Sequence, residues 1–195
     1  MAMKKINELK DNFVGPKSVL YSKNEVDLAG GTLDITADAE FPVKVDSLKA
    51  TMGDPTINHY KVIGLAGDWA TTSEVGDFSL EMVVPTKAKE ALVMMFGEDA
   101  VSDITKLTLK TGDTGLDAEA GFTGISLEQK KYKMKGTIVI VDETEENLMV
   151  ITNIALYATL TWDETGTAPI AFKLSGSIEG AGKKSVAWLK KNPAA

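Results

Sequence analysis

The alternation of apolar and polar side chains predicts strands along most of this chain and one internal helix. Between Phe78 and Val84 every second side chain is apolar, which is the period of a half-buried strand. Apolar side chains then recur at helical spacing over residues 86–96, which predicts an amphipathic helix. Gly97 follows as a residue that tolerates the left-handed conformation of a helix end.

The longest periodic run starts at Leu148, and its even positions are apolar as far as Trp162, with Thr152 as the exception. At about 3.3 Å per residue this run spans roughly 50 Å, far beyond an ordinary strand. It must therefore bend and serve two sheets, or wrap a barrel. The apolar parity also changes after Val45, which predicts a bulge or bend near Asp46.

These patterns predict an all-β (β-rich α+β) fold, an antiparallel β-sandwich or barrel with one flanking α-helix at about 86–96. We expect a single domain over 1–195, with a polar N-terminal lead at 1–16 and a C-terminal tail at 181–195. In this tail the Trp188 side chain is expected to pack against the rest of the domain.

Residues 46–75 interrupt the periodic pattern with glycines, a proline and several threonines and aspartates. This composition predicts a long loop or hairpin excursion, and such segments are usually functional or mobile. Within it, Trp69 accompanies Tyr60, and two interpretations are open. The tryptophan either packs back onto its own core or serves as an anchor for another chain.

Composition excludes several classes of protein. The chain has 21 basic and 28 acidic residues and a net charge of -7, so a nucleic-acid clamp is not expected. It has no cysteine, which excludes disulfides, thiolate zinc sites and cysteine nucleophiles. No apolar run reaches the roughly 20 residues of a membrane span, so no membrane partner is expected. Nor does an apolar run follow the basic start as in a signal peptide.

No catalytic or metal-binding constellation stands out. His59 is the only histidine, and its local sequence supplies no orienting partner of the kind a triad requires. The densest acidic cluster does not have the spacing of a calcium loop, and we interpret it as a solvated turn; it comprises Asp142, Glu143, Glu145 and Glu146. Asp113 and Asp117 are interpreted in the same way. We therefore expect no enzyme activity, no cofactor and no metal.

Two stretches carry a resemblance to a known family. The first, INHYKVIGLAGDWATTSEVGDFSLEMVVP, leads into the predicted helix; the second, LMVITNIALYATLTWDETGTAPIAFKLSGSIEG, is a long hairpin near the C-terminus. In the order of these segments and in their pattern of residues, over roughly residues 17–180, the chain resembles the tail tube (major tail) proteins of long-tailed bacteriophages.

The resemblance implies a structural, self-assembling subunit. In that family a β-sandwich with a flanking helix joins its sheet to those of five neighbours, giving a hexameric ring, and a long loop reaches the next ring. Residues 46–75 would be that loop, with His59, Tyr60 and Trp69 at the subunit interface. The implied partners are further copies, other tail proteins, and DNA that passes through without specific binding. The implied location is the virion, assembled in the bacterial host cytoplasm.

Three alternatives stay open at this point. The same fold serves phage-derived secretion devices, so a phage-derived tube is one. A capsid decoration protein is a variant of the same structural role. A ligand-binding β-sandwich, such as a carbohydrate module, is the third, and it would need exposed aromatic side chains to stack on sugar rings.

Overall fold

The computed structural model describes residues 13–108, 121–162, 169–180 and 183–192. Strands dominate this part of the chain, with one α-helix, α1 (Lys89–Phe96), and a single 3-10 turn after it. The strands are β1 (Pro16–Ser22), β2 (Ala39–Phe41), β3 (Lys49–Met52), β4 (Thr56–Tyr60), β5 (Ala70–Glu74), β6 (Phe78–Val84), β7 (Val101–Leu107), β8 (Phe122–Leu127), β9 (Met134–Asp142), β10 (Asn147–Thr161), β11 (Ala171–Ile178) and β12 (Val186–Lys190).

The main sheet is antiparallel and is organised around β10. Its order is β2-β1-β9-β10-β11-β6-β3, with β12 as an additional partner of β10. The first part of β10 pairs with β9 and β12. Its second part keeps β9 as a partner at residues 154–156 and pairs with β11 on the side where β12 has ended. One long strand therefore serves two differently composed parts of a single sheet, whereas the length of this run predicted that it would serve two sheets or wrap a barrel.

A β-bulge separates the two parts of β10. Ile151 lies opposite Ile138 and Ile154 lies opposite Gly136, so β10 carries one extra residue between them. Asn153 takes a positive φ of 53° at this point, a conformation in which asparagine is enriched. The extra residue changes which side chains face the core, from odd positions such as Ile151 to even positions such as Ile154.

This change of face corrects the expectation that the even positions continue one apolar face from Leu148 onward. Before the bulge the even residue Val150 pairs with Val139 on the face away from the main core cluster. Both residues are nevertheless buried. Because this part of the sheet is apolar on both faces, the sequence pattern alone does not reveal the shift.

The main core lies between the main sheet and α1. Its fully buried members come mainly from β6, β9, β10 and β11, and they include Leu80, Met82, Ile138, Leu156 and Leu174. The helix contributes Leu92, Met95 and Phe96, and the ring of Phe96 meets that of Phe172 edge-on at 5.4 Å between centroids. The predicted apolar stripe of the helix is thus the face that covers the sheet.

The fold class is confirmed as all-β with one helix. The sheet is open, with β2 and β3 as the two ends of its strand order. The helix begins at Lys89 rather than near residue 86, because Ala88 is extended and is its N-cap residue. Thr86 instead accepts a hydrogen bond at Oγ1 from the Ala88 N–H, at 3.1 Å. Gly97 ends the helix with a φ of 88°, as predicted.

Two regions that the sequence predicts to be irregular, the excursion and the C-terminal tail, contain strands of the main sheet. The predicted excursion starts at residue 46, yet β3 within it pairs with β6 in the main sheet. Asp46 itself has a φ of 63°, at the predicted bend. In the predicted C-terminal tail, β12 pairs with β10, and Trp188 is exposed rather than packed down. Residues 1–12 of the N-terminal lead lie outside the described residues.

None of the helices in the described residues has both the length and the apolar character needed to cross a membrane.

The turn between β9 and β10 is held by one buried carboxylate, so the interpretation of Asp142 as part of a solvated turn is wrong. Asp142 accepts hydrogen bonds from the Thr144 hydroxyl, the Asn147 side-chain amide and the backbone N–H groups of Glu146 and Asn147, at 2.7–3.2 Å. Burial opposes ionisation of Asp142, but these hydrogen bonds outweigh it and lower its pKa to about 2.

The Asp142→Asn variant is predicted to unfold at a temperature several degrees lower than the parent near pH 7. A folded-state pKa of about 2, against 3.8 for the free side chain, means that the ionised carboxylate stabilises the fold above about pH 4. This contribution is lost as the pH falls toward 2. Thermal denaturation followed by circular dichroism from pH 7 to pH 2 would measure it.

Glu146→Gln is the matched control, since it removes one charge from the same turn without removing the hydrogen-bond acceptor. It should change the unfolding temperature little. If the difference between the parent and Asp142→Asn stayed constant down to pH 2, the carboxylate would not have the assigned role.

Candidate interaction surface

The predicted excursion contains a separate two-stranded hairpin, here called the hairpin arm (residues 53–76). In it β4 pairs with β5, from Thr56 opposite Glu74 to Tyr60 opposite Ala70. Among the described residues these two strands form a sheet of their own, apart from the main sheet. An isolated two-stranded hairpin is marginally stable in water, so the pairing of β4 with β5 gives the arm little stability of its own.

The arm exposes a high density of apolar side chains. Ile63 at the tip is fully exposed, Trp69 is 69% exposed, and none of the residues of β4 and β5 is buried. The large apolar side chains exposed along the arm are Ile57, Tyr60, Val62, Ile63, Leu65, Trp69 and Val75. Single exposed apolar residues are common on proteins, but a concentration of them on one projection indicates an interaction surface.

The neck of the arm is closed by two glycines. The Gly53 N–H donates to the Asp77 carbonyl at 2.8 Å, and a Cβ added to Gly76 would lie 2.0 Å from the Gly53 carbonyl oxygen. The backbone segments at Gly53 and Gly76 therefore approach each other more closely than any side chain on Gly76 permits. This contact fixes the point at which the arm leaves the β3–β6 pair.

His59 has a partner that the local sequence did not reveal. Its Nδ1 lies 2.6 Å from Oδ2 of Asp68, across the loop that joins β4 to β5. The expectation that His59 lacks an orienting partner is therefore wrong. The side chains of the pair are about half and one-third exposed, respectively, and the contact joins the two sides of the arm near its tip.

A backbone hydrogen bond joins Tyr60 and Trp69 at the loop end of the hairpin. The Trp69 N–H donates to the Tyr60 carbonyl at 2.7 Å. Both side chains are largely exposed. Of the two interpretations of Trp69, packing against its own core is therefore wrong. The interface role of His59, Tyr60 and Trp69 stays a prediction, and the structure brings all three together on the arm.

The acidic residues do not converge on a metal site in the described part of the chain. No group of three or more histidine, aspartate or glutamate side chains there is arranged to hold an ion. Asp142 uses its oxygens within its own turn, and Glu145 pairs with Lys17. Asp113 and Asp117 lie outside the described residues.

A cavity of about 720 Å³, which the sequence does not predict, lies beside the end of α1 and is here called the helix-end cavity. Its lining residues come from α1, β8, the segment between β8 and β9, and β10, and they are Phe96, Leu127, Gln129, Lys130, Lys131, Tyr132, Tyr157, Ala158, Thr159 and Leu160. Gly97 leaves room for the Tyr132 ring, which would lie 3.1 Å from a Cβ at that position. Residues so far apart in the chain leave no local pattern that would predict a cavity.

Comparison of the chain with protein-family models finds no match, and comparison with curated proteins finds none.

Gly76→Ala is predicted to loosen the hairpin arm while leaving the main sheet folded. The added methyl group would overlap the Gly53 carbonyl, so the neck must open. Hydrogen exchange of the β4 and β5 amides should become faster, whereas exchange in β9 and β10 should be unchanged.

Gly67→Ala is the matched control because a Cβ there meets nothing within 4 Å. Equal exchange rates in the parent, Gly76→Ala and Gly67→Ala would contradict the role assigned to the neck.

Proposed function

We propose that this protein is a structural, self-assembling subunit of a phage tail tube or of a phage-derived tube. In this proposal copies form hexameric rings that stack and conduct DNA, and the assembled protein is part of the virion. The observation that carries the proposal is the hairpin arm, which exposes tryptophan, tyrosine and aliphatic side chains on a two-stranded sheet with no layer packed over it among the described residues.

The exposed apolar surface of the arm favours a partner that covers it. Apolar surface costs about 25 cal/mol per Å² when it stays in water, and aromatic side chains such as Trp69 and Tyr60 are frequent energetic centres of interfaces. An arm that is marginal alone gains stability when a partner covers it. A projection that binds a different surface on a second copy makes a head-to-tail contact, and such contacts generate rings or open filaments.

The charge of the chain is compatible with a conduit for DNA. A net charge of -7 repels phosphates on balance, so DNA would pass without being held. Six copies per ring, stacking of rings, and contacts with other tail proteins follow from the resemblance described above. They are parts of the proposal.

A carbohydrate-binding module is the second candidate, because all three tryptophans are largely exposed. They lie on different elements, however: Trp69 on the arm, Trp188 on β12 and Trp162 directly after β10. Trp162 lines a cavity of about 470 Å³ together with Pro85 and other residues. A glycan-array screen without hits would remove this candidate. A capsid decoration role would keep the arm as an interface and replace the tube by a shell.

Concentration-dependent assembly tests the proposal directly. Purified protein should sediment as a small species when dilute and form rings or tubes, visible by negative-stain electron microscopy, when concentrated. A protein that stayed monodisperse at every concentration, with the arm intact, would contradict the proposal.

Trp69→Ala is predicted to impair assembly without unfolding the subunit. Loss of a tryptophan anchor commonly costs 2 kcal/mol or more at an interface, so the concentration needed for half-assembly should rise by about tenfold or more. Sedimentation velocity would measure this shift, and the circular dichroism spectrum should be unchanged.

Val45→Ala is a suitable control, because Val45 is also an exposed apolar residue but lies in a turn outside the arm. Assembly of the Trp69→Ala variant at the parent's concentration would refute the anchor role.

A further inference from the structure

The helix-end cavity changes from apolar and buried at its floor to cationic and exposed at its mouth. The floor contains Phe96, which is buried, and Leu127 and Ala158, which are half-buried. Lys130 and Lys131 also line the cavity, and both are exposed. A site with this gradient matches a molecule that has an apolar body and one anionic end.

The size and lining of the cavity are those of a small-molecule site. Its volume of about 720 Å³ lies within the range of about 300–1,000 Å³ that is typical of such sites, which are lined mainly by apolar and aromatic side chains with a few polar groups. The polar residues of this lining are Gln129, Lys130, Lys131 and Thr159. Among the described residues, the lining therefore includes two cations and no anion.

Two aromatic rings of the lining are held in place by contacts outside the cavity. The Tyr132 ring lies against Gly97, where an added Cβ would be 3.1 Å from it. The Phe96 ring meets that of Phe172 edge-on at 5.4 Å between centroids. Because these rings are positioned by the fold, a ligand that enters the cavity has little to order, and this favours binding.

The chain at the start of β9 carries four lysines, and two of them are paired. Lys133 and Lys135 both form ion pairs with Glu179. Neither Lys130 nor Lys131 has an ion pair with another described residue. In a chain with a net charge of -7, these two lysines place a local positive charge at the mouth of an apolar cavity. An anion there would accept hydrogen bonds from charged donors, which are stronger than those from neutral ones.

We propose that the helix-end cavity binds an amphipathic carboxylate. Its apolar chain lies on Phe96, Leu127 and Ala158, and its carboxylate lies at Lys130 and Lys131. This inference goes beyond the proposed function, because the site is built within one subunit and needs no second copy. Burial of the apolar chain supplies most of the affinity, and the lysines select a molecule with an anionic end.

Calorimetric titration of the full chain with octanoate tests the site, at a protein concentration too low for assembly. Octanoate should bind once per chain. 1-Octanol, which has the same chain without the charge, should bind about tenfold more weakly. Acetate, which has the charge without the chain, should show no detectable binding. Equal affinities for octanoate and 1-octanol would overturn the role of the lysines, and absence of octanoate binding would overturn the site.

The double variant Lys130→Gln with Lys131→Gln should lower the affinity for octanoate by about tenfold and leave the affinity for 1-octanol unchanged. Lys183→Gln with Lys184→Gln is the matched control, because it removes the same charge from an exposed lysine pair that does not line the cavity. An equal loss of octanoate affinity in both double variants would overturn the role assigned to Lys130 and Lys131.

Leu160 locates the bound molecule independently of the lysines. It lines the cavity and is 64% exposed, so its substitution spares the core. Leu160→Asp should weaken octanoate binding more than Leu160→Asn does, because the new carboxylate repels that of octanoate. Equal affinities of these two variants would contradict the location.

Trp69→Ala separates the cavity from the hairpin arm, which also exposes apolar side chains. This variant should bind octanoate as the parent does. Loss of binding in Trp69→Ala would place octanoate on the arm and overturn the inference. None of these titrations depends on assembly, so failure of the site would leave the proposed tube function standing.

Discussion

The extra residue in β10 is the constraint on which the rest of the structure depends. Asn153 and Thr152 interrupt the ladder of hydrogen bonds between β10 and β9. The polar groups of Thr152 have other partners. Its N–H donates to the Ser185 carbonyl at 2.9 Å, and its hydroxyl accepts a hydrogen bond from the Thr137 hydroxyl at 3.0 Å. Because these buried polar groups are paired, the bulge is stabilised rather than strained. The bulge allows β10 to pair with β12 in its first part and with β11 in its second part.

The body and the arm are stabilised in different ways. The body has a contiguous core of buried apolar side chains from the sheet and α1. The arm has a ladder of hydrogen bonds, the His59–Asp68 contact and a tight neck, but none of its residues is buried. This division is compatible with the proposed assembly, because subunits that have their own core can fold first and associate afterwards.

Local periodicity predicted the parts of the fold that depend on a single element. The strand from Phe78 and the helix that follows it are encoded by spacing, and the structure has both. The change of face within β10 was not predictable, because Val150 is as apolar as the core residues around it. The His59–Asp68 contact and the helix-end cavity join residues that only the folded chain brings together. Contacts and cavities of this kind leave no periodic pattern in a sequence.

The most direct test of the account is removal of the arm with the body kept intact. Deletion of residues 55–75 joins Asp54 to Gly76, and this leaves a two-residue Asp-Gly loop between Gly53 and Asp77. Such a loop suits a tight hairpin turn, and Met52 and Phe78 are already paired at that end of the β3–β6 ladder. We expect the deletion variant to fold cooperatively with an unchanged core and to stay monomeric at concentrations at which the parent assembles. Tubes of the deletion variant at the parent's concentration would contradict the account.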